Sequence, residues 1–211
     1  MRRVTVATPA KRPYAPRLPA DQRREQLLDA ALAIALQRGF HAVTVDGVAK
    51  EAGVTRPVVY GAFTDRGELL MALADRSEAR ALTQLAAVFP AIPDGDADPD
   101  ELLVAGISAY LSAIRDDPAT WRVILLPPEG APEEMRVRVR THRATMLGQL
   151  SALTDWGLAH RGGPAGLDAD LFARSVFTLA EGAARLMLTD PEHYPVERLV
   201  DFTRTVLSGL R

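Results

Sequence analysis

TVDGVAKEAGVTRPVVYGAFTDRGELL, residues 44–70, carries the punctuation of two short helices and the opening of a third. Thr44 is a good N-cap for a helix whose inward face is Val45, Val48, Ala49 and Ala52. Gly53 breaks that helix. Thr55 offers the next cap, with Arg56 and Pro57 in the first turn, where proline sacrifices no hydrogen bond. Asp65 offers another cap, for a long helix through Leu69, Leu70 and Leu73 towards Phe89. Two short helices around a tight Ala52–Gly53–Val54 turn predict a helix-turn-helix, whose second helix enters the major groove of DNA.

The faces of that second helix separate cleanly. Val59 and Phe63 lie four apart and are expected to pack inward. Arg56 and Tyr60, also four apart, point outward with Pro57 and Gly61, towards phosphates and base edges. Gly61 has two readings: a missing side chain that lets the backbone approach DNA, or simply a weak helix end near Phe63.

Outward from this segment the chain continues to read as helix. Upstream, Leu27, Leu28, Ala31, Ile34 and Ala35 recur at three and four residues until Gly39. Residues 1–19 hold five basic residues, four prolines and no acid, which predicts a flexible basic arm. Downstream of Pro90, helical segments are expected over about 100–116, 118–126, 132–160, 167–190 and 195–210, separated by proline, glycine or acidic caps. No apolar alternation of any length suggests a strand. The fold class is all-α: an arm (1–19), a three-helix DNA-binding domain (20–66) and a helical ligand-binding and dimerisation domain (67–211).

Charge sharpens the division. The chain's net charge is −2, yet residues 1–64 sum to +5 and the remainder to −7. A basic head on an acidic body is the pattern of a nucleic-acid-binding module joined to something else. Cysteine is absent, which removes disulfides, thiolate metal sites and cysteine nucleophiles. The four histidines show no metal-site spacing, and no metal or cofactor is expected. Nothing resembles a phosphate loop, GxSxG, HExxH or the carboxylate–histidine repeats of di-iron bundles, so an enzyme is the weaker alternative. No run approaches the ~18 apolar residues of a membrane span, and the N-terminus lacks a signal's apolar centre, so the cytoplasm is the expected compartment.

Residues 22–70 resemble the DNA-binding domain of the tetracycline-repressor (TetR) family of bacterial regulators. The matching elements are RREQLLDAALAIALQRGF, then Thr44, VAKEAGVT, Val59–Tyr60, Phe63 and DRGELL. The resemblance implies phosphate contacts from Thr44, Thr55 and Tyr60, and base reading by Arg56 and Val58. It also implies that Arg66 neutralises a phosphate in place of the family's usual lysine. Ala62 departs from the pattern, since many members carry histidine there and gain a backbone contact from it. The family further implies a homodimer on an inverted-repeat operator, usually a repressor released by a small molecule; a protein partner or constitutive action is the alternative.

In the second region LFARSVFTLAEGAARLML is apolar or small nearly all round, and Leu199, Phe202, Val206 and Leu210 form a stripe on the last helix. Two such helices per subunit suit a four-helix dimer bundle, with Ala183 and Ala184 at its centre. Tyr110, Trp121, Met135, Met146, Trp156, Phe177 and Met187 are the candidate pocket-forming side chains. His142, Glu181 and Arg185 are polar residues in apolar surroundings and are expected to orient an apolar or amphipathic ligand, or to pair with one another.

Overall fold

A computed structural model describes residues 18–86, 97–126, 133–161 and 166–209. Nearly all of the arm, Phe89, Leu210 and the side chain of Met135 lie outside the described residues. Nine α-helices are described: α1 (Ala20–Arg38), α2 (Val45–Glu51), α3 (Arg56–Tyr60), α4 (Arg66–Ala86), α5 (Pro99–Asp116), α6 (Pro118–Leu125), α7 (Glu133–Arg161), α8 (Ala169–Thr189) and α9 (Val196–Gly209). A 3-10 turn, Phe40–Ala42, joins α1 to α2, and no strand occurs among the described residues.

The helix ends follow local chemistry. Gly39 stops α1 with φ 83° and donates to the carbonyl of Ala35. Thr44 Oγ1 accepts from the Gly47 amide at 3.0 Å, capping α2. Gly53 takes φ 66° in the turn, a conformation that costs glycine nothing. Thr55 occupies the N-cap position of α3 but makes no side-chain cap bond there. At α4, Asp65 Oδ1 accepts from the Glu68 amide at 2.8 Å, while Glu68 accepts from the Thr64 amide at 2.7 Å. That reciprocal pair satisfies two amides that would otherwise lack partners. The Thr64 amide and hydroxyl, both donating to it, hold the Glu68 carboxyl below its usual range. Asp98, Asp117 and Asp168 cap α5, α6 and α8 in turn.

Two apolar clusters result. The first gathers Leu27, Ile34, Phe40, Val48, Val59, Phe63 and Leu69, from α1 to α4, with Val123 from α6. The second gathers Leu111, Ile114, Trp121, Ala184 and Leu188, with Ala81 and Leu85 from α4. Helix α4 therefore belongs to both. Tyr110 meets Trp121 edge-on at 5.6 Å, and the indole N–H donates to Gln84 on α4 at 2.7 Å, so the largest buried side chain also ties α6 to α4.

The first cluster is braced at its rim. Arg24 stacks over Phe63 at 4.3 Å and donates to the Ala62 carbonyl at 2.7 Å. Gln26 donates to Ala52 across the turn. Arg76 of α4, nearly buried, pairs with Asp29 at 2.7 Å and Glu25 at 3.1 Å on α1. These contacts fix α2 and α3 against α1, and α1 against α4.

The dimer expectation at Ala184 is corrected here. Ala184 is fully buried inside the protomer's own core, so it is unable to face a second subunit. The apolar groups that α8 does show to solvent lie on its other side: Leu171 (60% exposed), Leu179 (64%) and Leu186. The stripe on α9 also divides. Leu199 turns inward, whereas Phe202 (63% exposed) and Val206 face out.

Candidate functional site

The three-helix head presents one continuous outward surface. On α3, Val59 and Phe63 are buried and anchor the helix. Arg56, Pro57, Tyr60 and Gly61 are exposed, and Val58 is half-buried. Tyr60 leaves half of its surface to solvent, at 53%. Thr44 and Thr55 are exposed at the starts of α2 and α3. A large aromatic held outward on an anchored helix has little to gain inside this chain.

Gly61 has ordinary right-handed geometry, φ −70°, and an added Cβ would lie 3.4 Å from the Pro57 carbonyl, within normal contact. The protein's own packing therefore makes no demand for glycine at this position.

Two arginines are engaged in ways that spacing alone does not show. Arg56 is paired with Asp46, reaching across the turn from α3 to the first turn of α2. Its fork is thus held in one orientation at the surface. Arg66 donates from Nε to the Val43 carbonyl at 2.6 Å and from a terminal nitrogen to the Phe40 carbonyl at 2.8 Å. It staples the start of α4 to the turn before α2, the place where a phosphate contact was expected of it. Asp46 carried no signal by itself; its role appears only when α2 and α3 are brought side by side.

In the body, two adjoining cavities share Tyr110, Met146, Phe177 and Glu181 as walls. The first, about 130 Å³, lies between α5, α7 and α8 and is almost wholly apolar, with Ile107, Leu150, Trp156 and Val176 among its walls. The second, about 240 Å³, opens between α4, α6, α7 and α8, and includes Trp121, His142 and Arg185. Eight of the ten residues expected to form a pocket line one cavity or both; Met187 instead fills the second apolar cluster, and the side chain of Met135 lies outside the described residues.

Polar groups concentrate in the second cavity. Glu181 is 7% exposed and accepts from Arg143 of α7. Burial pushes its carboxyl above the ordinary 4.5, against the pull of Arg143 and Arg185. Burial, helped by Glu181, likewise pushes the Tyr110 phenol up. His142 sits 2.6 Å from Glu78 of α4, and Arg138 pairs with both Asp75 and Glu78. The sequence reading missed Glu78, Arg138 and Arg143. The available signal was the dense basic run at Arg136, Arg138, Arg140 and Arg143, whose two-residue spacing hides the helical face it forms.

No group of three or more potential metal ligands occurs among the described residues. Nor, among them, is any helix long and apolar enough to cross a membrane.

Comparison with known proteins agrees with this geometry. The sequence pattern of the bacterial regulatory proteins of the tetR family matches residues 27–73. A stretch of 108 residues is 33% identical to the HTH-type transcriptional activator FasR of Mycolicibacterium smegmatis, covering 51% of this chain and 48% of that protein. Another of 113 residues is 29% identical to the HTH-type transcriptional regulator EthR of the same organism, covering 54% and 51%. The chain thus matches about half the length of these curated relatives. A TetR-like regulator from Rhodococcus sp. RHA1 superposes with TM-score 0.70 at 23% identity, over 90% of this chain and 95% of that one. The regulator FadR of Bacillus subtilis, solved in complex with stearoyl-CoA, superposes with TM-score 0.63 at 21% identity, over 87% and 96%. At such identities the superpositions establish the fold alone.

Proposed function

We propose that this chain, whose residues 27–73 match the tetR family of bacterial regulatory proteins, is a cytoplasmic transcriptional regulator: a homodimer that binds an inverted-repeat operator and is released by a small apolar or amphipathic molecule. The observation that carries this is the outward face of α3, with Arg56 and Tyr60 exposed on a helix anchored by buried Val59 and Phe63. In this reading Tyr60, Thr44 and Thr55 meet phosphates and set the register. Arg56 and Val58 read base edges, with Asp46 holding Arg56 at the right angle. Pro57 lies along the same face, and Gly61 lets the α3 backbone come close to DNA. Arg66 acts by positioning the start of α4.

The exposed apolar residues of α8 and α9 support the dimer: among the described residues, Leu171, Leu179, Leu186, Phe202 and Val206 leave between 39% and 64% of their surface uncovered. A two-fold dimer sets its recognition helices roughly 34–36 Å apart, or a multiple of that, matching successive major grooves. The paired cavities favour a small-molecule effector over constitutive action, because a regulator without a ligand has no use for unfilled interior space. Tyr110, Trp121, Met146, Trp156 and Phe177 would provide the apolar walls, and His142, Glu181 and Arg185 the polar ones. The stearoyl-CoA bound to the similarly folded FadR is in keeping with a chain-like effector.

Selection of bound molecules from random-sequence DNA tests this reading. An enriched inverted repeat, shifted by the dimer in a mobility assay, is the expected result. No enrichment over input would refute it.

A further inference from the structure

The second cavity is cationic within an acidic body. Its walls carry Arg136, Arg138, Arg140, Arg143 and Arg185 against Glu78 and Glu181, although residues 65–211 together sum to −7. Flanking carboxylates narrow the excess: Glu133 pairs with Arg136 at 3.1 Å and Arg140 at 3.0 Å, and Asp75 pairs with Arg138. Five arginines still face four carboxylates, with Arg185 in no ion pair among the described residues. One anion would balance the set.

The geometry beside it is one-sided. On the other side of the shared walls Tyr110, Met146, Phe177 and Glu181 lies the apolar cavity, whose lining holds no arginine. A molecule filling both would be polar at one end only.

Building on the regulator reading above, we infer that the occupant is an anionic amphiphile, an alkyl chain ending in a carboxylate or a phosphate. The chain lies in the apolar cavity, and the anion meets Arg138, His142 and Arg143, competing there with Asp75, Glu78 and Glu181. Anion and carboxylates want the same cations. Binding therefore loosens the ties from α7 to Asp75 and Glu78 on α4. Those two residues flank Arg76, which holds α1 through Asp29 and Glu25. The start of α4 holds the turn before α2 through Arg66. The head group, and not the chain, thus acts on the helix shared by both cores. The chain supplies affinity: each buried methylene tightens binding about fourfold until the cavity is full.

The test uses four probes with one chain: hexadecanoate, hexadecyl phosphate, 1-hexadecanol and hexadecyltrimethylammonium, all below their micelle-forming concentrations. Binding to the full-length protein is read from the fluorescence of Trp121 and Trp156, and release of the selected operator from anisotropy. The two anions are expected to bind about tenfold or more tighter than hexadecanol and alone to release DNA, as a charge-assisted contact implies. Their ranking distinguishes a carboxylate from a phosphate head. Arg138→Gln and Arg143→Gln should each lower anion affinity about tenfold while leaving hexadecanol binding unchanged. Glu181→Gln should raise anion affinity, because it removes a competitor, and it stands as the second variant if Arg143→Gln fails to fold. Equal binding and release by hexadecanol would overturn the anion site and leave the regulator reading intact. Binding by none of the four would overturn the inference together with the amphiphilic effector. Anion preference without any operator would uphold the cavity's chemistry and refute the DNA reading.

Discussion

Replacing Phe202 by aspartate should dissociate the proposed dimer without unfolding the subunit. Phe202 stands 63% exposed in the protomer, on a helix whose inward residues, Val196, Leu199 and Leu207, are buried. Fully covering a large apolar side chain is worth about 1.5–3 kcal/mol. With roughly two-thirds of that still available, coverage of Phe202 by a partner contributes about 1–2 kcal/mol. A two-fold interface uses each residue twice, so the substitution removes about 2–4 kcal/mol. At 1.4 kcal/mol per tenfold, the dissociation constant should rise roughly 30-fold to 1,000-fold. Burying the new carboxylate beside apolar neighbours pushes the same way. Sedimentation velocity over a concentration series measures the constant directly, and thermal unfolding reports on the subunit, which should change little because the side chain is exposed. A wild type that sediments as a monomer at micromolar concentration, or a Phe202→Asp protein that dimerises as tightly as wild type, would refute the reasoning.

The DNA-binding head offers three further checks. Gly61→Ala should leave thermal stability unchanged or raise it by up to about 1 kcal/mol, while weakening operator binding; unchanged binding would return Gly61 to a mere helix end. Arg56→Ala should relax preference at one base position per half-site at a cost of ~1–3 kcal/mol, whereas Tyr60→Phe should weaken all sequences alike, both read by competition with mutated operators. Thr44→Ala removes the cap bond to Gly47 and should lower stability by about 0.5–2 kcal/mol in denaturant unfolding. In the body, Glu181 is held above its ordinary 4.5, so the folded state keeps a proton that the unfolded state has released. Stability from this group must then fall as pH rises from 4.5 through the raised value, and Glu181→Gln should flatten that part of the stability–pH curve. A slope unchanged by the substitution would assign it to other groups.

How much of this was legible beforehand depends on how local each cause is. Helix boundaries are set within one turn of the chain, and Gly39, Thr44, Gly53, Asp65, Asp117 and Asp168 act at that range. The expected segments 100–116 and 118–126 accordingly fall within a residue of Pro99–Asp116 and Pro118–Leu125. Thr55 is the local exception: it has the right residue type and extended backbone, yet its hydroxyl makes no cap bond. Tertiary pairings had no such signature. Arg56 with Asp46, Arg76 with Asp29, and Arg138 with Asp75 join residues whose proximity exists only after packing. The small residues of α8 misled for a related reason, since Ala184 could pack close to a partner or inside its own subunit, and composition does not separate the two. Tyr110, Trp121, Met146, Trp156 and Phe177 line the cavities because they are large and apolar, but the same property sent Met187 into the core, so size and polarity do not separate wall from filling. The α7 arginines that line the second cavity were passed over because a run of arginines on a helix usually faces solvent, whereas His142, Glu181 and Arg185 stood out against apolar neighbours.

The central claim is that the face of α3 reads DNA sequence. It is tested most directly by an anisotropy titration of the wild-type protein against its selected operator and against a scrambled duplex of equal length and composition, at physiological salt. The account predicts a preference of about a thousandfold or more for the operator, most of it lost in Arg56→Ala. Equal affinities for the two duplexes, at any strength of binding, would contradict it.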